Sequence, residues 1–367
     1  MRYYIIAGEA SGDLHGSNLI RAIRERDTEA EFRCWGGDLM LREGATLVRH
    51  IRDLAFMGFA EVVKHLPEIL RNLRLCKADI LNWKPHVVVL IDYPGFNFRL
   101  LEFLQRNNFK IVYYISPQLW AWKKGRVKKV KRFVNRMLVI FPFEKAFYEQ
   151  NGVAAEYVGH PLLDVIHTAD AMQAKDENLV ALVPGSRRHE IAHLLPEYLR
   201  VVKHFPDKKF VVTGMSTIGE DFYHRIIRDY PVELVIDQTY PTLRRAAAAL
   251  VTSGTATLEA ALHNIPQVVC YKGSWISYFL AHLLIDKSIG HICIVNLICG
   301  KRIVTELIQH QVNETTLTNE LRKLFDYEHR NSILNEYRSL RGLLGEGGAS
   351  QRAAASVVEL AGCSTPT

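Results

Sequence analysis

The chain lacks any C-x-x-C pair: its six cysteines, Cys34, Cys76, Cys270, Cys293, Cys299 and Cys363, lie scattered over 367 residues. That excludes a zinc ribbon or a disulfide framework and points to reduced thiols in a cytosolic protein. No apolar run is long enough to cross a bilayer. Residues 279–299 come closest, but His282, Asp286, Lys287 and His291 interrupt them. Residues 3–7 lead straight into a glycine turn without a basic n-region or cleavage site, so a cytoplasmic location is expected. There is no low-complexity tract and no repeat period, which excludes a disordered chain or a solenoid. Neither G-x-x-x-x-G-K-[ST] nor G-x-G-x-x-G occurs, so neither a nucleotide-hydrolysing loop nor a dinucleotide fingerprint is indicated.

What is present is a net charge of +7 with an uneven distribution. Residues 1–175 carry 26 Lys/Arg against 19 Asp/Glu, and residues 176–367 carry 20 of each, so the excess belongs to the first half. Much of it sits in one segment, where Lys123, Lys124, Arg126, Lys128, Lys129, Lys131 and Arg132 fill seven of ten positions. Such a patch seeks nucleic acid, an anionic membrane or an anionic substrate. Val127, Val130 and Phe133/Val134 form an apolar stripe beneath it. A longer stripe (Phe59, Val62, Val63, Leu66, Ile69, Leu70, Leu73) has Lys64, Arg71, Arg74 and Lys77 around it, and Pro67 is expected to divide it. Core packing is the default for either stripe; a membrane surface is the alternative.

Short apolar runs at residues 3–7, 31–35, 87–91, 110–115 and 136–140 alternate with helical periodicity at 14–26, 60–81 and 98–106. A polar stretch at 163–178 reads as a linker. A second series follows at 179–183, 210–213, 233–236, 248–252 and 267–271, and after residue 301 the pattern is helical to the end. Strands and helices alternating at these lengths predict α/β architecture: two doubly wound, Rossmann-like domains facing a cleft. The expected boundaries are 1–170 and 177–345, with a terminal helix at 349–362 packing back on the first domain.

Three turns carry the candidate chemistry: Gly8-Glu9-Ala10-Ser11-Gly12-Asp13, Pro184-Gly185-Ser186-Arg187 and Ser253-Gly254-Thr255-Ala256-Thr257-Leu258-Glu259. Each follows an apolar run and precedes a helical pattern, the geometry that presents backbone N–H groups to anions. In the third, Gly254 admits a phosphate, the hydroxyls of Ser253 and Thr255 add donors, and Glu259 is placed to accept from ribose hydroxyls. An ordinary capped helix is the competing reading. Arg187 can clamp a diphosphate bidentately, or be a surface arginine at a turn. In the first turn, Glu9 and Asp13 would repel a pyrophosphate, and suit sugar hydroxyls or a helix dipole. His15 reads as a supporting partner or as a packed histidine. Asp92, at the end of an apolar run, is either a base for an attacking hydroxyl or a loop cap, with Asn97 the better cap for the following helix. His189-Glu190-Ile191-Ala192-His193 matches H-E-x-x-H. Pro196 and Leu199 stand where the metzincin extension needs glycine and histidine, so zinc is not expected.

These turns occur in order with Ile91-Asp92-Tyr93-Pro94, Ser116-Pro117-Gln118-Leu119-Trp120-Ala121-Trp122, Phe141-Pro142-Phe143-Glu144 and Val158-Gly159-His160-Pro161. The series resembles the lipid A disaccharide synthase family from residue 3 to about residue 300. The resemblance implies a GT-B fold and an inverting glycosyltransferase. It would move 2,3-diacylglucosamine from UDP to 2,3-diacylglucosamine 1-phosphate at the cytoplasmic face of the inner membrane, giving a β-1,6 disaccharide and UDP. No metal, no cofactor and no nucleic acid are implied, and a homodimer is compatible with it. Asp92 is then the base, with Glu9 and Ser11 on the acceptor side. Ser186, Arg187, Ser253, Gly254, Thr255 and Glu259 fall on the donor side. Asn296 joins them by matching a Pro-Asn-Leu element in which Val295 replaces the proline. Many relatives carry a second acid after the proline of the Asp92 loop; Gly95 stands there in this sequence. Phe59, Val62, Val63, Leu66, Lys128, Lys129, Lys131 and Arg132 are the candidate membrane surface. Competing expectations are another UDP-sugar enzyme of the same fold, such as an epimerase, and a basic nucleic-acid-binding protein. The latter calls for aromatic stacking positions or a recognition helix, and neither is evident.

Overall fold

A computed structural model of the chain describes residues 1–53, 66–119, 124–166, 174–273 and 291–363. Two compact units emerge: Met1–Asp164 together with Glu346–Thr367, and Val165–Gly345.

The first unit holds seven parallel strands, β1 (Arg2–Ile6), β2 (Glu31–Gly36), β3 (Thr46–His50), β4 (Val87–Ile91), β5 (Lys110–Tyr114), β6 (Arg136–Val139) and β7 (Ala155–Tyr157), in the order 3-2-1-4-5-6-7. The second holds β8 (Asp176–Val183), β9 (Lys209–Gly214), β10 (Val232–Ile236), β11 (Ala246–Thr252), β12 (Gln267–Tyr271) and β13 (Thr305–Ile308), in the order 10-9-8-11-12-13. Both sheets share one winding: the first strand of the unit lies centrally, two strands follow on one side, and the fourth opens the other. The strand order reverses between β1 and β4, and between β8 and β11. Crevices at the carboxyl ends of such strand pairs are where doubly wound sheets bind ligands.

The sequence dictates this because the central strands are apolar on both faces. Every residue of β4 (VVVLI) and of β11 (AAAALVT) is buried. Burying a Val, Leu or Ile side chain is worth roughly 1.5–3 kcal/mol, so these segments are stable only inside a sheet covered on both sides. The alanines of β11 leave room for close helix packing. In the first unit, Trp35 packs at a tilt against Phe96 with ring centroids 5.3 Å apart, joining β2 to the segment after β4.

Several expectations change. The tail beyond residue 301 is not all helical: β13 adds the outer strand beside β12. β3 and β7, short edge strands with few fully buried residues, carried too little apolar pattern to be read in advance. The polar stretch at 163–178 is not one linker, since Leu162–Val165 is helical and β8 begins at Asp176. Pro67 is the second residue of the helix Leu66–Trp83, where a missing N–H costs nothing.

The terminal helix Ala349–Gly362 belongs to the first unit and packs on the helix Ala10–Arg24. Its start is held by one distant carboxylate. Asp164 accepts from the backbone N–H groups of Gly348 (2.6 Å), Ala349 (3.0 Å) and Ser350 (2.8 Å). Those N–H groups have no partner inside the helix, so Asp164 fixes both its position and its direction.

Candidate functional site

In the first unit, the chain leaves β4 through two consecutive left-handed residues, Asp92 (φ 41°) and Tyr93 (φ 44°). Non-glycine residues in this region are strained, and two in succession persist only where surrounding contacts over-determine them. The contacts are present. The Asp92 carbonyl accepts from the Tyr113 hydroxyl at 2.6 Å and from Asn97 Nδ2 at 2.8 Å, and its N–H donates to the Tyr114 carbonyl at 3.2 Å. Asn97 is fully buried, so its side chain reaches back to the Asp92 turn rather than capping the following helix as expected.

Tyr93 then folds over the end of β1. A Cβ at Gly8 would lie 2.3 Å from atoms of the Tyr93 ring, which only glycine avoids. Tyr93 stacks on Phe96 with centroids 5.4 Å apart. Burial pushes its hydroxyl up to about 12, the Glu9 charge adds to that rise, and Arg99 opposes it. Thus Glu9, Tyr93 and Asp92 lie together at the carboxyl ends of β1 and β4, with Ser11 exposed as the second residue of the helix Ala10–Arg24.

Asp13 turns inward instead. Its buried carboxylate accepts from Gly37 N (2.7 Å), Leu39 N (3.0 Å) and Met40 N (3.1 Å), anchoring the loop after β2. His15 is a packed histidine: burial pulls it down to about 4. His160 behaves alike, pulled down to about 3 by burial and then by His15, so both rings stay neutral.

In the second unit, the turns after β8 and β11 meet at the equivalent crevice. Gly185 has φ 107°, and a Cβ there would lie 2.7 Å from Glu190 Oε2 and 3.3 Å from Thr252 Cγ2. Gly254 is open on its free side, with no atom within 4 Å of where a Cβ would stand. Thr255 and Ser186 are exposed, and Ser253 is half-buried. Arg187, at the N-cap of the helix Arg188–Val201, is partly exposed and donates from Nη1 to Glu190 Oε1 at 3.0 Å. The hydroxyl of Tyr271, at the end of β12, is raised by burial and by Glu190 and eased by Arg187, so this ring belongs to the same group.

Glu259 lies one turn into the helix Thr255–Leu262 and accepts from the Tyr240 hydroxyl at 3.3 Å. Burial pushes its carboxyl up to about 7, with the Tyr240 bond opposing the rise. A carboxylate in such surroundings gains from hydroxyl donors, as a ribose would supply.

Asn296 is corrected. It is fully buried, its Nδ2 donates to the Val304 carbonyl (2.9 Å) and Glu306 Oε1 (2.6 Å), and its Oδ1 accepts from Ile303 N (2.8 Å) and Val304 N (3.0 Å). With two donors and two acceptors all used, it braces the approach to β13 and has no hydrogen-bonding position left for a ligand. In the H-E-x-x-H segment, His193 Nδ1 lies 2.6 Å from the His189 carbonyl, and Glu190 serves Arg187. Among the described residues, no group of three His, Cys, Asp or Glu could hold a metal ion.

The basic cluster divides by face. Lys128, Lys129, Lys131 and Arg132 are exposed on the helix Val127–Phe133, while Val127, Val130 and Phe133 are core. The apolar stripe there therefore faces inward, leaving a purely basic outer surface. Phe59, Val62 and Val63, like Trp120 and Trp122, lie outside the described residues, as does the side chain of Leu66. Further along the helix Leu66–Trp83, Leu73 is buried while Leu70 is 43% exposed, so the described part of that stripe is split between core and surface. No helix among the described residues is long and apolar enough to cross a membrane.

Sequence reading missed Tyr93, Tyr113, Tyr240 and Tyr271. Tyr93 stands next to Asp92 in the motif itself, but its role as a brace does not follow from that; the other three reach a suspected residue only once separate elements are placed side by side.

Two parallel sheets of this winding, with glycine turns at both switch points, define the GT-B fold. Solved structures share the fold. One is a UDP-GlcNAc 2-epimerase from Neisseria meningitidis bound to UDP-GlcNAc (TM-score 0.67, 10% identity, 98% of this chain and 100% of that one). Another is the glycotransferase of kitacinnamycin (TM-score 0.62, 15% identity, 98% of each chain). Sequence narrows the class: residues 3–358 match the family described as lipid-A-disaccharide synthetase. The lipid-A-disaccharide synthase of Syntrophus aciditrophicus (strain SB) is 39% identical over 375 residues, covering 97% of each chain. That of Trichlorobacter lovleyi is 36% identical over 374 residues, covering 98% of this chain and 97% of the relative. The chain belongs to the lipid-A-disaccharide synthase family of glycosyltransferases.

Proposed function

We propose that the chain transfers 2,3-diacylglucosamine from its UDP carrier to 2,3-diacylglucosamine 1-phosphate, with inversion, forming the β-1,6 disaccharide 1-phosphate and releasing UDP. The observation that carries this reading is the presentation of Asp92 on a clamped, left-handed turn at the switch point of the first sheet. As the acceptor 6-hydroxyl oxygen attacks the anomeric carbon, Asp92 takes its proton. The bond from that carbon to the diphosphate breaks on the opposite face, and UDP leaves with the electron pair. One base and one stabilised leaving group suffice for a single inverting displacement. Glu9 and Ser11 bind the acceptor sugar. Arg187 neutralises the leaving diphosphate, the turns at Ser186 and Ser253–Thr255 supply donors to it, and Glu259 accepts from the ribose hydroxyls.

The test is to incubate the protein with acyl-UDP-glucosamine and identify products by mass spectrometry. UDP release only when monosaccharide lipid phosphate is added supports the synthase. UDP release or C2 epimerisation without acceptor favours the epimerase reading, which the fold likeness to UDP-GlcNAc 2-epimerases keeps in view.

Both substrates are lipids, and the exposed Lys128, Lys129, Lys131 and Arg132 suit the anionic cytoplasmic face of the inner membrane. Each such residue contributes up to about 1 kcal/mol near an anionic surface, screened by salt. Changing all four to Gln should weaken binding to anionic vesicles and activity on membrane-embedded substrate, while activity in detergent survives. Vesicle binding indifferent to salt and to the substitutions would sink the docking reading.

A further inference from the structure

Glu259 is approached by a side chain from a different element. Tyr240 lies in the helix Thr239–Arg245, which leads from β10 back to β11, and its hydroxyl donates to Glu259 Oε1 at 3.3 Å. The Tyr240 ring is itself held, tilted against His263 with centroids 5.6 Å apart. His263 follows Glu259 by one helical turn and is fully buried, so ring and carboxylate are fixed by the same short segment. A long, flexible glutamate side chain near a glycine turn has many rotamers, and a bond to one oxygen selects among them.

We propose that Tyr240 is a positioning residue for the nucleotide, acting through Glu259. By occupying one carboxylate oxygen, it aims the remaining lone pairs toward a ribose and favours the ionised form that accepts from two hydroxyls. This rests on the reading of Glu259 as the ribose acceptor. The Tyr240 hydroxyl favours the carboxylate form of Glu259 and burial disfavours it, while the His263 ring packs against the Tyr240 ring and the His263 backbone N–H donates to the Glu259 carbonyl at 3.0 Å.

The test is UDP-glucose affinity by calorimetry from pH 5.5 to 8.5, because a diphosphate esterified at both ends does not titrate in that range. The wild-type protein should bind more tightly as pH rises through about 7, where Glu259 ionises. Tyr240→Phe keeps the ring against His263 and removes only the donor. Its binding midpoint should move to higher pH, and affinity at pH 7 should fall by about three- to tenfold, the range for one hydrogen bond lost. Donor KM should rise with kcat little changed, since the contact serves ground state and transition state alike. In a Glu259→Gln background, Tyr240→Phe should have no further effect on affinity. A midpoint that stays in place in Tyr240→Phe, with only thermal stability reduced, would overturn the proposal and leave Glu259 its role. Affinity and pH profile unchanged in Glu259→Gln would overturn the ribose reading itself, and Tyr240 with it.

Discussion

The two switch points use the same topology in opposite ways. In the first unit, Asp92 is held by its backbone: two strained dihedrals and three hydrogen bonds set where its carboxylate starts from. In the second unit, the candidate groups are held by side chains, Arg187 by Glu190 and Glu259 by Tyr240. A base must meet one proton at one geometry, and a misplacement of about 1 Å costs up to about a hundredfold in rate. A nucleotide site must open, close and release product, and side-chain pairs can exchange partners without refolding a turn. On the proposed function, the contrast is between a rigid support for chemistry and an adjustable support for binding.

The largest expected effect tests the rigid side. Asp92→Asn should lower turnover by about 10²–10⁴-fold, the span for losing a general base, with UDP affinity nearly intact. Near-normal turnover would remove Asp92 from the mechanism.

Gly8→Ala comes next, and probes the support rather than the base. The new Cβ meets the Tyr93 ring at 2.3 Å, so the ring, and the Asp92 turn joined to it, must shift. A loss of up to about a hundredfold in kcat is expected, with donor KM unchanged. A raised donor KM with normal kcat would erase the proposed difference between the two sites.

Arg187→Ala tests the adjustable side. It should weaken UDP binding by about 10–100-fold, as for a charge-assisted contact worth roughly 1.5–3 kcal/mol. Unchanged calorimetric affinity would take Arg187 out of the donor site.

The smallest effect is on stability. The Glu259 carboxyl titrates near 4.5 ordinarily and at about 7 when folded. Below pH 4.5 both forms are protonated and there is no penalty. As pH rises from there, the unfolded chain releases its proton first, so folding loses stability until the folded group also ionises near 7. Glu259→Gln removes that penalty. Its thermal midpoint should rise at pH 8, by the equivalent of about 1–3 kcal/mol, and barely at pH 5. An equal gain at both values would mean that packing, and not the charge, is responsible.

The apolar runs at 87–91 and 267–271 are strands over the same residues, because segments apolar on both faces have no other stable place. The runs near 179–183 and 248–252 are longer strands, extended backward by residues whose pattern alone did not demand it. β13 was hidden in an apparently helical tail, since four residues with mixed burial show no period. Within the candidate site, the glycine turns were legible from spacing. What each polar side chain does there was not. Asp13 and Glu9 stand four residues apart in one motif, yet Asp13 anchors a loop and Glu9 faces the crevice beside Tyr93. Asn296 matches a ligand-contact motif, yet four protein partners take up its side chain.

By itself, then, the sequence determined the doubly wound architecture and the family, because hydrophobic periodicity and turn chemistry are local and survive without neighbours. The tertiary structure alone decided which carboxylates point outward, which tyrosines brace them, and that Asp164 caps a helix some 185 residues away. Those are pairings between distant segments, and the free energy of a hydrogen bond depends on the burial and geometry of both partners, which no single stretch of chain contains.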